Sequence, residues 1–256
     1  MKLKKNLGQH LLIQPKIAER IVSLLDSDIR SHEAVLEIGP GKGALTIFLL
    51  PYEDQLWLVE KDNELVVYLQ EKFPTLRAHI LAQDVLTLNL STLPLQPVHI
   101  IGNMPYNISG PLLFMALEQR NYIAEWIGML QKEVVERVVA RPGNKTYGML
   151  SVLIQAYFDA KKHFDISRGA FIPPPEVTSS VLKLVPKQNK IPCSYDTLKK
   201  LTKAAFQQRR KKLSNALSKF NFSSFPGKYE TKRAEELSWE DFVELALHIE
   251  SYNSKE

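Results

Sequence analysis

Asparagine, methionine, proline and tyrosine occupy positions 103–106, directly after the apolar run Val98-His99-Ile100-Ile101-Gly102. Few chemistries need an amide, a proline and an aromatic ring in that order at the end of a strand, and methylation of an exocyclic amine is one of them. The N6 nitrogen of adenine is a poor nucleophile because its lone pair is delocalised into the ring. The side-chain oxygen of Asn103 and the backbone carbonyl of Met104 can each accept one N6 hydrogen and steer the lone pair toward an electrophile, while Tyr106 offers a flat face to the base. That is catalysis by positioning and directed hydrogen bonds. Pro105 fixes its own φ and biases Met104 toward an extended backbone, so the Met104 carbonyl can be aimed into a pocket. The competing reading is an ordinary turn with a core tyrosine beside it.

A second constellation precedes it. Val35-Leu36-Glu37-Ile38 runs into Gly39-Pro40-Gly41-Lys42-Gly43 and then into a helical pattern from Ala44. Glycines at a strand-to-helix turn let a ligand approach the backbone. Glu60, 21 residues after Gly39, ends the second apolar run and can accept both hydroxyls of a ribose, which fits a dinucleotide or S-adenosylmethionine (SAM) alike. Asp84, after the third run, can accept the amino hydrogens of a cofactor adenine, and the Val85 amide can donate to a ring nitrogen. Gly39 and Gly41, Glu60, Asp84 and Asn103 thus close strands one to four in order, at the edge where open α/β sheets bind ligands. The ordered set argues for SAM over a dinucleotide. Taken singly, Glu60 reads as a surface pair with Lys61, Asp84 as a turn cap and Glu37 as a charge bonded to loop amides.

The elements that must position these residues follow from periodicity. Short apolar runs alternate with helical patterns from about residue 17 to 158, which predicts repeated βα units and a mainly parallel sheet. Strands are predicted near 34–38, 56–59, 78–82, 98–102 and 126–130, and helices at 15–26, 43–51, 61–73, 111–120, 131–141 and 151–160. Two β-rich stretches, 161–166 and 179–185, flank Phe171-Ile172-Pro173-Pro174-Pro175 and are expected to pair antiparallel at one sheet edge. Beyond Pro186 the composition turns Lys-rich and helical, so the expected division is a domain of residues 1–188 and a smaller helical domain of 189–256.

Composition narrows the class. A chain of 256 residues, 45% hydrophobic, suffices for one full α/β core and a small appended domain. The single cysteine, Cys193, excludes an internal disulfide and a thiolate cluster, and the six histidines form no HExxH-type pair, so no metal is expected. No apolar run approaches transmembrane length, and Leu11-Leu12-Ile13 is too short for a signal-peptide core, so a cytoplasmic protein without membrane attachment is expected. The formal charge of +5 is uneven: residues 1–12 carry three Lys and no acid, and residues 187–256 carry 14 Lys+Arg against 9 Asp+Glu. A slightly acidic middle between basic ends suits a polyanionic substrate held outside the chemical pocket. Residues 187–212 alone hold nine Lys+Arg and one acid. On one continuous helix over 204–220, Arg209 and Arg210 would share the face of Phe206, Leu213, Leu217 and Phe220. A break near Gln208 is therefore expected, freeing both arginines for RNA phosphates or an interdomain carboxylate.

Taken together, the chain resembles the bacterial small-subunit (16S) ribosomal RNA adenine N6,N6-dimethyltransferases. The resemblance is carried by Lys5-Asn6-Leu7-Gly8-Gln9-His10-Leu11-Leu12, Glu37-Ile38-Gly39-Pro40-Gly41, Val59-Glu60-Lys61-Asp62, Asn103-Met104-Pro105-Tyr106-Asn107-Ile108-Ser109, Gln131-Lys132-Glu133-Val134, Phe171-Ile172-Pro173-Pro174-Pro175-Glu176-Val177-Thr178-Ser179 and Phe206-Gln207-Gln208-Arg209-Arg210-Lys211. It implies a Rossmann-like class I SAM-dependent methyltransferase sheet with a reversed last strand, followed by a small all-helical domain. It implies that His10 and Leu12 contact SAM, that Gly39 lies under it, and that Glu60 and Asp84 hold its ribose and adenine. It places Asn103 near both methyl donor and target amine, and Phe171 opposite Tyr106 on the far face of a flipped-out adenine. The implied activity is transfer of two methyl groups to each of two adjacent adenosines near the 3′ end of the rRNA in the 30S particle, by a monomer. Position 104 is Met where the family usually has Leu, Ile or Pro; the role falls on its carbonyl. Two rival readings share the fold: a large-subunit rRNA methyltransferase of the macrolide-resistance type, and a non-enzymatic ribosome-assembly or transcription factor. The stretch 136–148 resembles the small-subunit enzymes more, and intact Glu60, Asp84 and Asn103 argue against lost catalysis.

Overall fold

A strand buried on both faces reads as a near-continuous apolar run, and Ala34–Ile38, every residue of it buried and only Glu37 polar, takes an interior place in the main sheet. The computed structural model of the protein describes residues 10–220, 222 and 225–253. In chain order the elements are β1 (Leu11–Leu12), α1 (Pro15–Val22), β2 (Ala34–Ile38), α2 (Thr46–Leu49), β3 (Leu56–Glu60), α3 (Asn63–Lys72), β4 (Ile80–Ala82), β5 (Val98–Asn103), α4 (Ser109–Glu118), β6 (Ile123–Gln131), α5 (Lys132–Val138), α6 (Met149–Tyr157), β7 (Phe158–Ile166), β8 (Phe171–Ile172), β9 (Ser179–Pro186), α7 (Tyr195–Gln207), α8 (Leu213–Ala216) and α9 (Trp239–Asn253). Seven strands form the sheet in the order β4-β3-β2-β5-β6-β9-β7, and β1 pairs with β8 in a separate two-stranded ladder. Strands β4 to β6 run parallel to their neighbours and β9 runs antiparallel to β6, which is the expected α/β fold class.

Register brings the sequence-distant site residues together. Ile38 lies opposite Val59 on one side and Gly102 on the other, and Glu60 lies opposite Ala82. The residues that follow these positions therefore leave the sheet at one edge. Gly102 is required there: a Cβ on it would stand 2.3 Å from the Ile38 carbonyl oxygen, a backbone contact that no rotamer change relieves. Helix α2 is shorter than the predicted 43–51, because Pro51 converts its end into a 3-10 turn over Leu50–Tyr52. Helix α1 likewise stops at Val22, four residues before the predicted end, with the Ser23 amide closing onto the Glu19 carbonyl.

The chain divides into two units, one of residues up to Val135 with Lys161–Pro186, the other of Glu136–Ala160 with Lys187–Glu256. The expected division at 188/189 lies close to the second boundary and differs in leaving residues 136–160 with the first domain. Helix α6 is buried on most of its surface, at Val152, Leu153, Ile154 and Ala156, and it packs on α7 and α9. A helix that apolar needs helical cover from more than one side, and the chain supplies it from Tyr195–Gln207 and Trp239–Asn253, which linear order hides. The second unit has its own core, with Leu198, Leu201, Ala205, Phe242, Leu245 and Ala246 buried.

At the amino-terminal edge of the sheet, His99 of β5 is held between two carboxylates. Its Nδ1 lies 2.9 Å from Glu125 Oε1 and its Nε2 3.2 Å from Glu33 Oε2. The other Glu125 oxygen takes the Lys183 ammonium of β9, and the Asp26 amide donates to Glu125 Oε1 at 2.8 Å. Burial works against charge on His99, but the bonds to Glu125 and Glu33 outweigh it and raise its pKa. Burial likewise opposes the charge of Glu125 and Glu33, and their hydrogen bonds, led by His99 for Glu125 and the Arg30 amide for Glu33, leave both lowered. The His99 contribution is complete below its ordinary value of 6.5 and fades as pH rises through the raised folded value. The carboxylate contributions are complete above 4.5 and fade as pH falls through the lowered folded values. Unfolding by urea at pH 5.5 and pH 9 should show the wild type losing stability toward alkali. His99→Asn should lose much of that slope; an unchanged slope would remove His99 as its source.

Candidate active site

The glycine loop after β2 turns where side chains are disfavoured: Gly39, Gly41 and Gly43 have φ of 63°, 57° and 80°. The Gly39 amide donates to the Val59 carbonyl at 3.0 Å and the Gly43 amide to Pro40 at 2.8 Å, so the loop folds back over the end of β3. A Cβ on Gly41 would meet Leu11 at 2.8 Å, and one on Gly39 would meet the Asn103 carbonyl oxygen at 3.4 Å. The loop is thus wedged between the N-terminal strand and the end of β5.

Glu60 ends β3 beneath this loop and is buried. Its Oε1 accepts the Lys61 and Asp62 amides, each at 2.9 Å, while Oε2 receives a longer bond of 3.4 Å from the Gly41 amide. Burial pushes its pKa up and the three amides pull it back, leaving it raised. Oε2 is the atom with acceptor capacity to spare. Glu37 lies deeper, 1% exposed, and burial carries it up to about 8. It is therefore a neutral acid at physiological pH, and it receives both the Thr46 hydroxyl, at 2.6 Å, and the Thr46 backbone amide.

Asp84, beyond β4, binds the Lys61 ammonium at 2.8 Å and accepts the Leu86 amide at 3.0 Å. The ammonium and that amide hold its carboxyl below the ordinary value. It caps a turn and faces the cleft at once, so its two sequence readings are compatible. Val85 beside it is buried and lines the same cleft.

At the end of β5 the Met104 amide donates to the Met129 carbonyl at 3.2 Å, extending the β5–β6 ladder one residue past the strand. The Met104 side chain is buried. Pro105 then opens a 3-10 turn over Tyr106–Ile108 that leads into α4. The Asn103 side-chain NH2 donates to the His10 carbonyl at 2.6 Å, which commits the nitrogen and leaves Oδ1 as the acceptor. The Tyr106 hydroxyl bonds the Ser179 hydroxyl, and burial raises its pKa so that it stays a neutral phenol. Its ring lies 5.3 Å from the His10 ring, inclined at 32°. His10 is itself anchored by Nδ1 to the Pro173 carbonyl at 2.8 Å.

One cleft is lined by His10, Gly39, Gly41, Glu60, Asp84, Val85 and Asn103-Met104-Pro105-Tyr106. Sequence reasoning missed Leu11, Ile38, Val59, Lys61, Leu65, Gln83, Asn107 and Ile108, which complete its wall; strand alternation carried a signal only for those on strands, such as Leu11 and Val59. Two of the expected residues do not line this cleft. Leu12 is buried in the core and reaches only a smaller recess behind the glycine loop, while Leu11 lines the cleft. Phe171 is 2% exposed, paired with Leu12 across β1–β8, and does not line the cleft. Both follow from the pleat: successive side chains of a strand point to opposite faces, and these two point into the core.

In the helical unit α7 ends at Gln207, as the expected break requires. Arg209 binds the Glu235 carboxylate and, at 3.3 Å, the Asn144 carbonyl. Its carboxylate partner belongs to the same unit, which corrects the expected interdomain one. Arg210 is exposed.

Residues 1–249 match the family model described as ribosomal RNA adenine dimethylase. The chain is 44% identical to a protein of Parabacteroides distasonis named ribosomal RNA small subunit methyltransferase A, over 100% of this chain and 97% of that one. A protein of the same name from Flavobacterium johnsoniae is 42% identical over 98% and 97%. The crystal structure of a dimethyladenosine transferase from Plasmodium falciparum superposes with a TM-score of 0.80, at 26% identity, covering 96% of this chain and 98% of that one. That of the 23S rRNA methyltransferase ErmE shares the fold, with a TM-score of 0.69 at 21% identity over 93% and 99%. With the glycine loop, Glu60, Asp84 and Asn103 gathered in one cleft and the family model spanning nearly the whole length, the chain belongs to the ribosomal RNA adenine dimethylase family, a family of methyltransferase enzymes.

Proposed function

We propose that the protein transfers methyl groups from SAM to N6 of adenosine in small-subunit ribosomal RNA, making dimethyladenosine at two adjacent positions near the 3′ end. The observation that carries this is the orientation of Asn103 at the end of β5, its NH2 held by the His10 carbonyl so that Oδ1 is available as an acceptor. The names of the relatives supply the small-subunit RNA.

The cleft suits the cofactor. Glycines with left-handed backbone allow close approach, Glu60 Oε2 can take ribose hydroxyls, and the partly exposed Asp84 carboxylate can take an adenine amino group beside the Val85 amide. SAM, when bound, supplies a methyl group made electrophilic by its sulfonium. Asn103 Oδ1 and the Met104 carbonyl accept the N6 hydrogens and turn the nitrogen lone pair out of the base plane, and Tyr106, pinned through Ser179, supports one face of the base. The N6 proton leaves to solvent after transfer. Exposed Arg210, with Lys211 and Lys212, is the phosphate-contact candidate of the helical unit. The proposed partner is the 30S particle, met in the cytoplasm by a monomer; among the described residues no helix is long and apolar enough to cross a membrane.

The test is labelled methyl transfer onto purified small subunits lacking the modification, with large subunits in parallel and nucleoside mass spectrometry after digestion. Dimethyladenosine on the small subunit alone is expected; label on large-subunit RNA, or binding without transfer, would overturn the reading. Asn103→Ala should lower kcat about 100- to 1000-fold, the scale of one transition-state hydrogen bond, while SAM affinity stays within a few-fold. Equal losses in both would remove Asn103 from the chemistry. Glu60→Ala should act oppositely, weakening SAM binding in calorimetry by roughly 10- to 100-fold, the range for hydrogen bonds to a charged acceptor, with kcat at saturating SAM changed far less.

A further inference from the structure

The motif Gln131-Lys132-Glu133-Val134 does not line the cleft, yet it joins β6 to α5 at the same edge of the sheet. The Lys132 ammonium binds one oxygen of Asp165 on β7 at 2.8 Å, and Lys162 binds the other at 2.8 Å. The Ser180 hydroxyl donates to the same carboxylate, and Ser179 beside it bonds the Tyr106 hydroxyl. We propose that Lys132, Lys162 and Arg168 at this end of β7, with Lys161 on β7 and Arg20 and Lys16 on α1, form a basic strip that binds phosphates of the RNA backbone flanking the target adenosine. This rests on the adenine-N6 methylation reading above.

Charge distribution singles this strip out. Residues 13–186 carry 16 Lys+Arg against 19 Asp+Glu, yet six of those cations lie on α1, β7 and their flanks, where the acids are Glu19, Asp159 and Asp165. One carboxylate cannot neutralise two ammonium groups. The lysines and the Ser180 hydroxyl hold Asp165 far below its ordinary value, so it stays ionised and orients both. Among the described residues Lys16, Arg20, Lys161 and Arg168 have no ion-pair partner. The two arginines are exposed and arranged in advance. The Arg20 guanidinium lies 3.7 Å from the centre of the Phe164 ring, which fixes its plane and leaves its N–H edge for a ligand. Arg168 commits Nε to the Pro175 carbonyl at 2.7 Å and keeps its two terminal nitrogens. Guanidinium groups so held suit phosphate oxygens. The positive field is felt at His163, whose Nε2 is buried without a hydrogen-bond partner among the described residues. Burial, and then the charges of Lys161, Lys183 and Arg20, hold its pKa below the ordinary value. An adenosine turned out of its stack leaves its flanking phosphates outside the pocket, and contacts to them set register without reading sequence. A strip that begins beside the serine pinning Tyr106 is placed to make those contacts.

Two double substitutions test the strip. Arg20→Gln with Arg168→Gln removes two cations that hold no ion pair, and Lys161→Gln with Lys162→Gln removes two from β7. Lys72→Gln with Arg77→Gln makes the same change of charge beside β4, at the opposite edge of the sheet, and serves as control. Folding is checked by thermal denaturation and SAM affinity by calorimetry, and binding to unmodified small subunits is measured as a function of salt. Each strip variant should bind the particle about 10- to 50-fold more weakly at about 0.1 M salt, with the slope of log affinity against log salt shallower by about two, one for each lost phosphate contact. Methylation should weaken through KM for the particle, while kcat, SAM affinity and the control stay within about 3-fold of wild type, because phosphate contacts position the RNA and take no part in the transfer. Wild-type affinity and slope in either folded strip variant, an equal loss in the control, or a matching loss of SAM affinity would each overturn the assignment. Failure of the methylation reading itself is distinguishable, because the wild-type protein would then form no N6-methylated adenosine.

Discussion

Everything the cleft does depends on the close approach of β2 and β5 at Ile38 and Gly102. The two backbones meet there so tightly that a single added carbon would lie 2.3 Å from the Ile38 carbonyl oxygen. This contact lets the residues that follow, Gly39 on one strand and Asn103 on the next, leave the sheet side by side, so that the Asn103 carbonyl stands against the bare Cα of Gly39. A donor held above the first loop and an acceptor placed by the second are then neighbours because of register, before any side chain is chosen. Transfer between two bound groups needs such proximity more than it needs a strong base.

The electrostatics follow from the same crowding. Two carboxyl groups, Glu37 and Glu60, lie at the glycine loop, and after burial the charge of Glu60 adds to the cost of charging Glu37. The deeper one resolves this by carrying its proton and binding the Thr46 hydroxyl, as a structural acid. The shallower one can stay charged because three backbone amides face it. One position thus serves the fold while the other lines the cleft, although both are glutamates at the end of an apolar strand. At the far edge of the sheet the His99 cluster ties β5, β6 and β9 together through ion pairs, so the strand that ends in Asn103 is anchored at both ends.

Much of this was legible in the chain. The strands at 34–38, 56–59 and 98–102 were visible because strands buried on both faces are near-continuous apolar runs, broken here only at Glu37 and His99, and the residues ending them announced the edge at which they gather. What was not legible depends on which way a side chain points or on contacts distant in sequence. Leu11 and Leu12 are chemically alike, and only the pairing with β8 decides which faces the cleft. Phe171 reads equally as a pocket wall or a core ring until Leu12 is seen beside it. Helix α6 precedes β7 in sequence yet belongs with α7 and α9, because its burial demands helices that arrive much later. Arg209 was freed from the helix as expected, but Glu235, 26 residues on, had no local signal.

Leu12 and Phe171, both buried, show how a cleft depends on residues that do not line it. A pair of two-residue strands is too short to persist on its own, so the β1–β8 ladder exists because Leu12 and Phe171 bury their side chains beneath it, each worth about 1.5–3 kcal/mol. The Ile13 amide bonding the Ala170 carbonyl, and His10 bonding Pro173, then extend the ladder at both ends. What this buried pair delivers to the cleft is backbone and a ring: the His10 carbonyl that turns the Asn103 amide, and the imidazole set against Tyr106. Leu12 and Phe171 therefore fix the strand that presents His10, and their apolar character is what that task requires.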